Sequence, residues 1–247
     1  MKAALVALAL ALAVPAGARA ADACATDPVL LESPYRLERV ARQLAAGGTL
    51  RIVAFGSSST EGLGASDASR TYPAQLERAL GALFPRATVT VANRGVSGQD
   101  SRQMLKRLDA DVLAEWPDLV VWQTGTNSAI QDQSVGEYLD DVVEGVRRMR
   151  AVGADVLVMG PQKSPRMDLA THRLAFAEHL RAAADLTQAP YFARYEVMAG
   201  WLARGQMTMD AMIDPDGLHM TDLSYGCLAA AVADMIANLA RAPVARP

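Results

Sequence analysis

An α/β domain built on a parallel sheet is the fold class predicted for this 247-residue chain. Short apolar runs rich in β-forming residues alternate with longer segments of helical periodicity. Each run stops abruptly at a loop of Gly, Ser, Thr or Asn, the punctuation expected at the carboxyl end of a buried strand. With 51% hydrophobic and 21% charged residues, the chain can bury a full core as one domain. Strands alternating with helices imply parallel pairing through right-handed crossovers.

The first twenty residues, MKAALVALALALAVPAGARA, carry one lysine, an apolar run too short to span a bilayer, and a small-x-small end at Ala18, Arg19 and Ala20. This predicts a cleaved export signal (1–20), a mature start at Ala21 and a single domain over 21–247. The location expected is periplasmic or secreted, without a transmembrane anchor in the mature chain. Cys24 follows Asp22 and Ala23, a poor context for lipidation. Without Lys2 and Arg19, 22 basic residues face 27 acidic ones, and no basic stripe is present, which argues against a nucleic-acid partner. In an oxidising compartment Cys24 and Cys227 either remain two separate thiols or form a disulfide tying the mature N-terminus to the last helix, worth ~2–4 kcal/mol.

Taken in order, residues 35–44 show Leu37, Val40, Ala41 and Leu44 at helical spacing, ended by Gly47 and Gly48. The run Ile52, Val53, Ala54, Phe55 is the first strand, stopping at Gly56 before three serines and a threonine. Pro73 marks the first turn of a helix reaching Phe84. Residues 88–92 form the second strand, followed by the glycine-punctuated loop 93–98 and a helix over 101–113. Pro117 ends that segment, and DLVVWQ (118–123) is a third buried strand running into Thr124, Gly125, Thr126 and Asn127. A long helix over 134–152 presents Tyr138, Val142, Val146 and Met149, and Gly153 closes it. Strand four is 154–159, with loop 160–165 after it; a helix over 168–186 and a short fifth strand at 190–193 follow. Residues 196–204 read as helix, 205–218 as a long loop and 221–240 as the last helix.

Ligands bind at the carboxyl ends of strands in open α/β sheets, so a serine just past strand one stands where chemistry is usually done. A nucleophilic serine needs a base, a group orienting the base, and oxyanion donors. Only three histidines are available. His172 and His179 fall on a predicted helix with arginines nearby and read as solvated. His219 ends the sequence Asp214-Pro215-Asp216-Gly217-Leu218-His219, a Pro/Gly turn that can set Asp216 against Nδ1 and leave Nε2 free to take a proton from serine. The alternative is an ordinary polar turn with a capping aspartate. Gly95 after strand two and Asn127 after strand three are candidate donors, a backbone N–H and a side-chain amide.

Four blocks in this order, GSSST, NRGVSG, GTN and DGLH, resemble the SGNH hydrolases, also called GDSL esterases and lipases. The resemblance covers essentially the whole mature chain. It implies a flavodoxin-like α/β/α sandwich with strand order 2-1-3-4-5, Ser58 as nucleophile, Asp216 and His219 completing the triad, and an oxyanion hole of the Ser58 N–H, Gly95 and Asn127. One departure stands out: Ser57 occupies the place where the family's first block usually has Asp before the nucleophile. No G-x-S-x-G elbow exists, since Thr60 and Gln99 stand at its last position, and neither a P-loop nor a metal-ligand motif is found in the sequence.

The function expected is therefore an exported, cofactor-independent serine esterase, a monomer acting on a small-molecule, glycan or lipid ester. An O-acyltransferase acting on a cell-envelope glycan and a catalytically silent glycan-binding domain are the alternatives. Met207, Met209, Met212 and Ile213 either line an acyl pocket or fill core gaps. Trp122 either stacks on a sugar or packs in the strand core.

Overall fold

Within β1 (Thr49–Gly56) successive side chains point to opposite faces. Ile52 and Ala54 therefore join one apolar cluster, and Val53 and Phe55 the other. The computed structural model describes residues 24–241; the expected export signal and the start at Ala21 lie outside the described residues. β1 pairs with β2 (Thr88–Gly95) and β3 (Leu119–Gln123), β3 with β4 (Asp155–Met159), and β4 with β5 (Tyr191–Phe192). All pairings are parallel, in the order β2-β1-β3-β4-β5.

Helices cover both faces, giving the three-layer sandwich. One face takes α1 (Glu38–Ala46), α2 (Tyr72–Leu83), α6 (Arg194–Ala203) and α7 (Asp222–Ala240), through Val40, Leu76, Trp201, Val232 and Ile236 among others. The other takes α3 (Ser101–Asp111), α4 (Val135–Ala151) and α5 (Arg173–Leu186), through Leu108, Val142, Val146 and Phe176. Among the described residues α7 is long and apolar enough to cross a membrane, yet most of it is buried against the sheet and α2. Trp122 is fully buried beside Phe55, with ring centroids 6.0 Å apart, so it packs in the core and does not face a sugar.

Several boundaries differ from the sequence expectation. β2 runs on to Gly95 because Asn93, Arg94 and Gly95 continue the ladder opposite Ala54, Phe55 and Gly56. The helix expected from 168 begins at Arg173; Ser164 caps a separate turn, Pro165–Asp168, and Leu169 beyond it is 84% exposed, with no apolar anchor to carry the helix through. The long loop holds a helical turn, Met209–Met212, capped by Thr208, and an antiparallel bridge between Ile213 and Met220 that cinches the base of the turn containing Asp216. Met207, Met212 and Ile213 are buried in the core, and Met209 packs against it. The segments Ser58–Glu61 and Thr126–Ile130, expected as loop, are single helical turns.

Cys24 and Cys227 are disulfide-bonded, with Cα atoms 4.8 Å apart across 203 residues, so the bridge fastens the start of the described chain to α7. Non-reducing peptide mapping should recover one cross-linked pair. Replacing both cysteines by Ala should lower stability by about 2–5 kcal/mol and Tm by roughly 5–15 °C. Two freely alkylated thiols in the oxidised protein would refute the bridge.

Candidate active site

The strand order reverses at β1, whose neighbours β2 and β3 are reached by connections running in opposite directions, and the carboxyl ends of strands at such a switch point are where open α/β sheets bind ligands. Ser58 leaves the end of β1, and Asn127 follows the end of β3. The histidine turn arrives from the segment before α7.

Ser58 Oγ lies 2.8 Å from His219 Nε2, and His219 Nδ1 makes a short hydrogen bond with Asp216 Oδ2. With the imidazole neutral, Nδ1–H donates to the carboxylate and the serine hydroxyl donates to Nε2. Asp216 Oδ1 also accepts the backbone N–H groups of Leu218 (2.8 Å) and His219 (2.9 Å). Partial burial raises the Asp216 pKa, but those backbone donors and the imidazole outweigh it and hold the carboxyl below its usual value. The turn closes because Gly217 takes φ +73°, a left-handed conformation that side chains disfavour, and its N–H reaches the Asp214 carbonyl (2.9 Å). Asp214 is confined to its own turn, its Oδ1 facing the Asp216 N–H at 3.4 Å. His172 and His179 are elsewhere: His172 is the exposed residue before α5, and His179 Nδ1 bonds the Ala175 carbonyl within α5.

The three serines are distinguished by their partners. Ser57 donates its N–H (2.9 Å) and Oγ (3.2 Å) to Gln123 Oε1. Ser59 is only 1% exposed, whereas Ser58 faces the imidazole and its backbone N–H has no hydrogen-bond partner among the described residues.

Gly95 does not sit where the sequence reading put it. Val96 N–H bonds the Gly56 carbonyl, so in the alternating parallel ladder the Gly95 N–H points to the outer edge of the sheet, where Asn93 Oδ1 accepts it at 2.9 Å. Its lack of a side chain serves packing instead, since a Cβ there would stand 2.0 Å from the Glu61 nitrogen. Three residues on, the Gly98 N–H is unpartnered among the described residues. The Gly98 carbonyl accepts Gln131 Nε2 (2.8 Å) and the Gln99 carbonyl accepts Asn127 Nδ2 (3.0 Å), which draws this stretch against Asn127. One amide N–H of Asn127 is thereby used and the second is left over.

Residues that the sequence reading passed over hold these loops. Arg107 donates to the Gly56 carbonyl (2.8 Å), the Arg94 carbonyl (2.9 Å) and Gln99 Oε1 (2.5 Å), with its guanidinium over the Phe55 ring. Glu61 accepts the Ser97 N–H (2.8 Å). Gln123 braces the serine turn after β1, and Gln162 links the loop after β3 to the Leu218 carbonyl. A polar residue at the carboxyl end of an apolar strand was the available signal for Gln123. A cleft of about 410 Å³ lined by Pro165, Met209, Ile213, Pro215 and Gly217 borders the histidine turn, but neither Ser58 nor His219 lines it.

A protein-family model described as the Non-GDSL lipase-like family matches residues 23–242. Esterase TesA of Pseudomonas aeruginosa is 32% identical over 123 residues, a stretch that spans 50% of this chain and 59% of that protein. Among solved structures, a two-domain esterase (CEX) active on acetylated mannans superposes with a TM-score of 0.73 at 21% identity, covering 87% of this chain and 56% of that one. A lipase/acylhydrolase from Enterococcus faecalis gives 0.64 at 24% identity over 76% and 96%. The crystal structure of TesA gives 0.64 at 25% identity over 77% and 99%.

A fluorophosphonate probe, which phosphonylates activated serines with loss of fluoride, should label Ser58 alone. Mass-spectrometric labelling at Ser57 or Ser59 would overturn the assignment of Ser58 as the activated hydroxyl.

Proposed function

The chain belongs to the Non-GDSL lipase-like family, and on that premise we propose that it is an exported serine hydrolase of short-chain carboxylic esters, acting through Ser58, His219 and Asp216. The observation that carries this reading is the continuous relay from Ser58 Oγ through His219 to Asp216, set beside an unpartnered Ser58 N–H. Ser58 Oγ attacks the ester carbonyl as its proton passes to His219 Nε2. Asp216 holds the imidazole tautomer and stabilises the imidazolium, and its lowered pKa keeps it ionised through the neutral range. The tetrahedral oxyanion is held by the N–H groups of Ser58 and Gly98 and by the second amide N–H of Asn127. Gly98 replaces Gly95 in this role because its N–H is uncommitted. His219 then protonates the departing alcohol, leaving Ser58 acylated, and water deprotonated by the same imidazole releases the acid.

Esterase TesA and the esterase active on acetylated mannans support an ester as substrate. Short acyl groups fit best, because Met207 and Met212 are turned into the core, and the cleft that Met209 and Ile213 line is one that neither Ser58 nor His219 borders.

Turnover of p-nitrophenyl esters from C2 to C12 tests this. Activity should be highest at C2–C4 and absent in Ser58→Ala, with the fold retained; faster C12 turnover would refute the short-acyl reading, and an active Ser58→Ala the nucleophile. Asp216→Asn should cut turnover by up to about 10⁴, the scale seen when a triad imidazole is held in the wrong tautomer. Asp214→Asn should cost less than about tenfold, as its turn hydrogen bond is worth only ~1 kcal/mol. The reverse order, with both variants folded, would overturn the triad.

A further inference from the structure

Arg194, the first residue of α6, is completely buried, and no ion pair among the described residues involves it. Burial pulls its pKa down to about 10, which leaves it charged at neutral pH. Its Nε donates to the Gly160 carbonyl (2.9 Å) and its Nη2 to Gln162 Oε1 (2.5 Å), while Nη1 is buried without a partner. A buried cation without a carboxylate is costly, and a neutral side chain could fill the same volume. The guanidinium does something that packing alone would not: it dictates which way the Gln162 amide faces.

Gln162 is 1% exposed. Its Oε1 accepts from both Arg194 and Thr126 Oγ1 (2.8 Å), so its Nε2 must point the other way, where it donates to the Leu218 carbonyl (3.3 Å). Thr126 is the residue before Asn127, and Leu218 is the residue before His219. One amide thus touches the neighbours of the proposed oxyanion donor and of the proposed base. A flipped amide would set its NH2 against the guanidinium and the carbonyl of Leu218 against an oxygen.

Resting on the Ser58–His219–Asp216 reading above, we infer that Gln162 is a positioning residue that holds the His219 turn in register with Asn127, and that Arg194 acts by locking the orientation of its amide. Neither touches the substrate. They set the distance between the group that moves the proton and the group that holds the oxyanion, and a displacement near 1 Å in such a constellation can cost about a hundredfold in rate.

Gln162→Glu separates this role from a structural one. The carboxylate keeps an acceptor for Arg194 and Thr126 and supplies the missing counter-charge, but sets its second oxygen against the Leu218 carbonyl. Tm should stay level or rise, while kcat on p-nitrophenyl acetate falls about 10- to 100-fold with KM changed less than threefold. In a cycle of Gln162→Met, Arg194→Met and the double variant, the losses in kcat should not multiply, because Arg194 acts through Gln162. A folded Gln162→Glu protein with kcat within threefold of the parent, a loss confined to KM, or multiplicative losses in the cycle would each overturn the inference. Should the Met variants fail to fold, Gln162→Glu decides alone. Parent protein and Ser58→Ala run alongside: an inactive parent or an active Ser58→Ala refutes the esterase reading, whereas an active parent, a dead Ser58→Ala and an unaffected Gln162→Glu refute only the positioning role.

Discussion

One side-chain oxygen, Gln123 Oε1, anchors the turn from which the nucleophile candidate projects. It accepts the Ser57 N–H, the Ser57 hydroxyl and the Thr60 hydroxyl (3.1 Å), all away from solvent. Because Gln123 is the last residue of β3, the serine turn is pinned directly to the central strand next to its own. The chemistry explains the departure at position 57. An aspartate there would face an acceptor oxygen with another acceptor, whereas a serine hydroxyl donates to it. Ser57 and Gln123 are a matched pair, and the pairing leaves Ser58 oriented toward His219.

The remaining loops are held in the same way, each by a polar side chain bonding main-chain groups of a neighbour. Arg107 ties the carboxyl ends of β1 and β2 and reaches Gln99, whose carbonyl in turn holds the Asn127 amide. Gln162 performs the equivalent service on the β4 side, between Thr126 and Leu218. A parallel sheet makes this economical: all its carboxyl ends lie along one rim, so loops from β1, β2, β3 and β4 lie within one side chain of each other. The opposite rim carries its own brace, where buried Asp118 accepts from Arg39 (2.7 Å), Gln43 (3.1 Å) and the Arg51 N–H (2.9 Å), fixing α1 beneath β1 and β3. The candidate site and this brace thus lie at opposite ends of the same strands.

The amino-acid sequence by itself determined the architecture. Apolar runs of strand length, bounded by Gly, Ser and Asn and separated by helical periodicities such as Tyr138, Val142, Val146 and Met149, admit little except a parallel sheet covered on both faces. The turn Asp214–His219 was legible too, because a contact three residues apart in a Pro/Gly turn is local and its partners are encoded in adjacent letters. Tertiary structure alone decided which N–H groups are free. Gly95 and Gly98 look interchangeable in NRGVSG, and only the β1–β2 register sends the first to the outer edge of the sheet. The same holds for Arg194 and Gln162, and for Met207 and Met212 of the long loop, which turn into the core. Their partners lie tens of residues away, and side-chain orientation at such distances follows from strand register and packing, quantities that no local pattern carries.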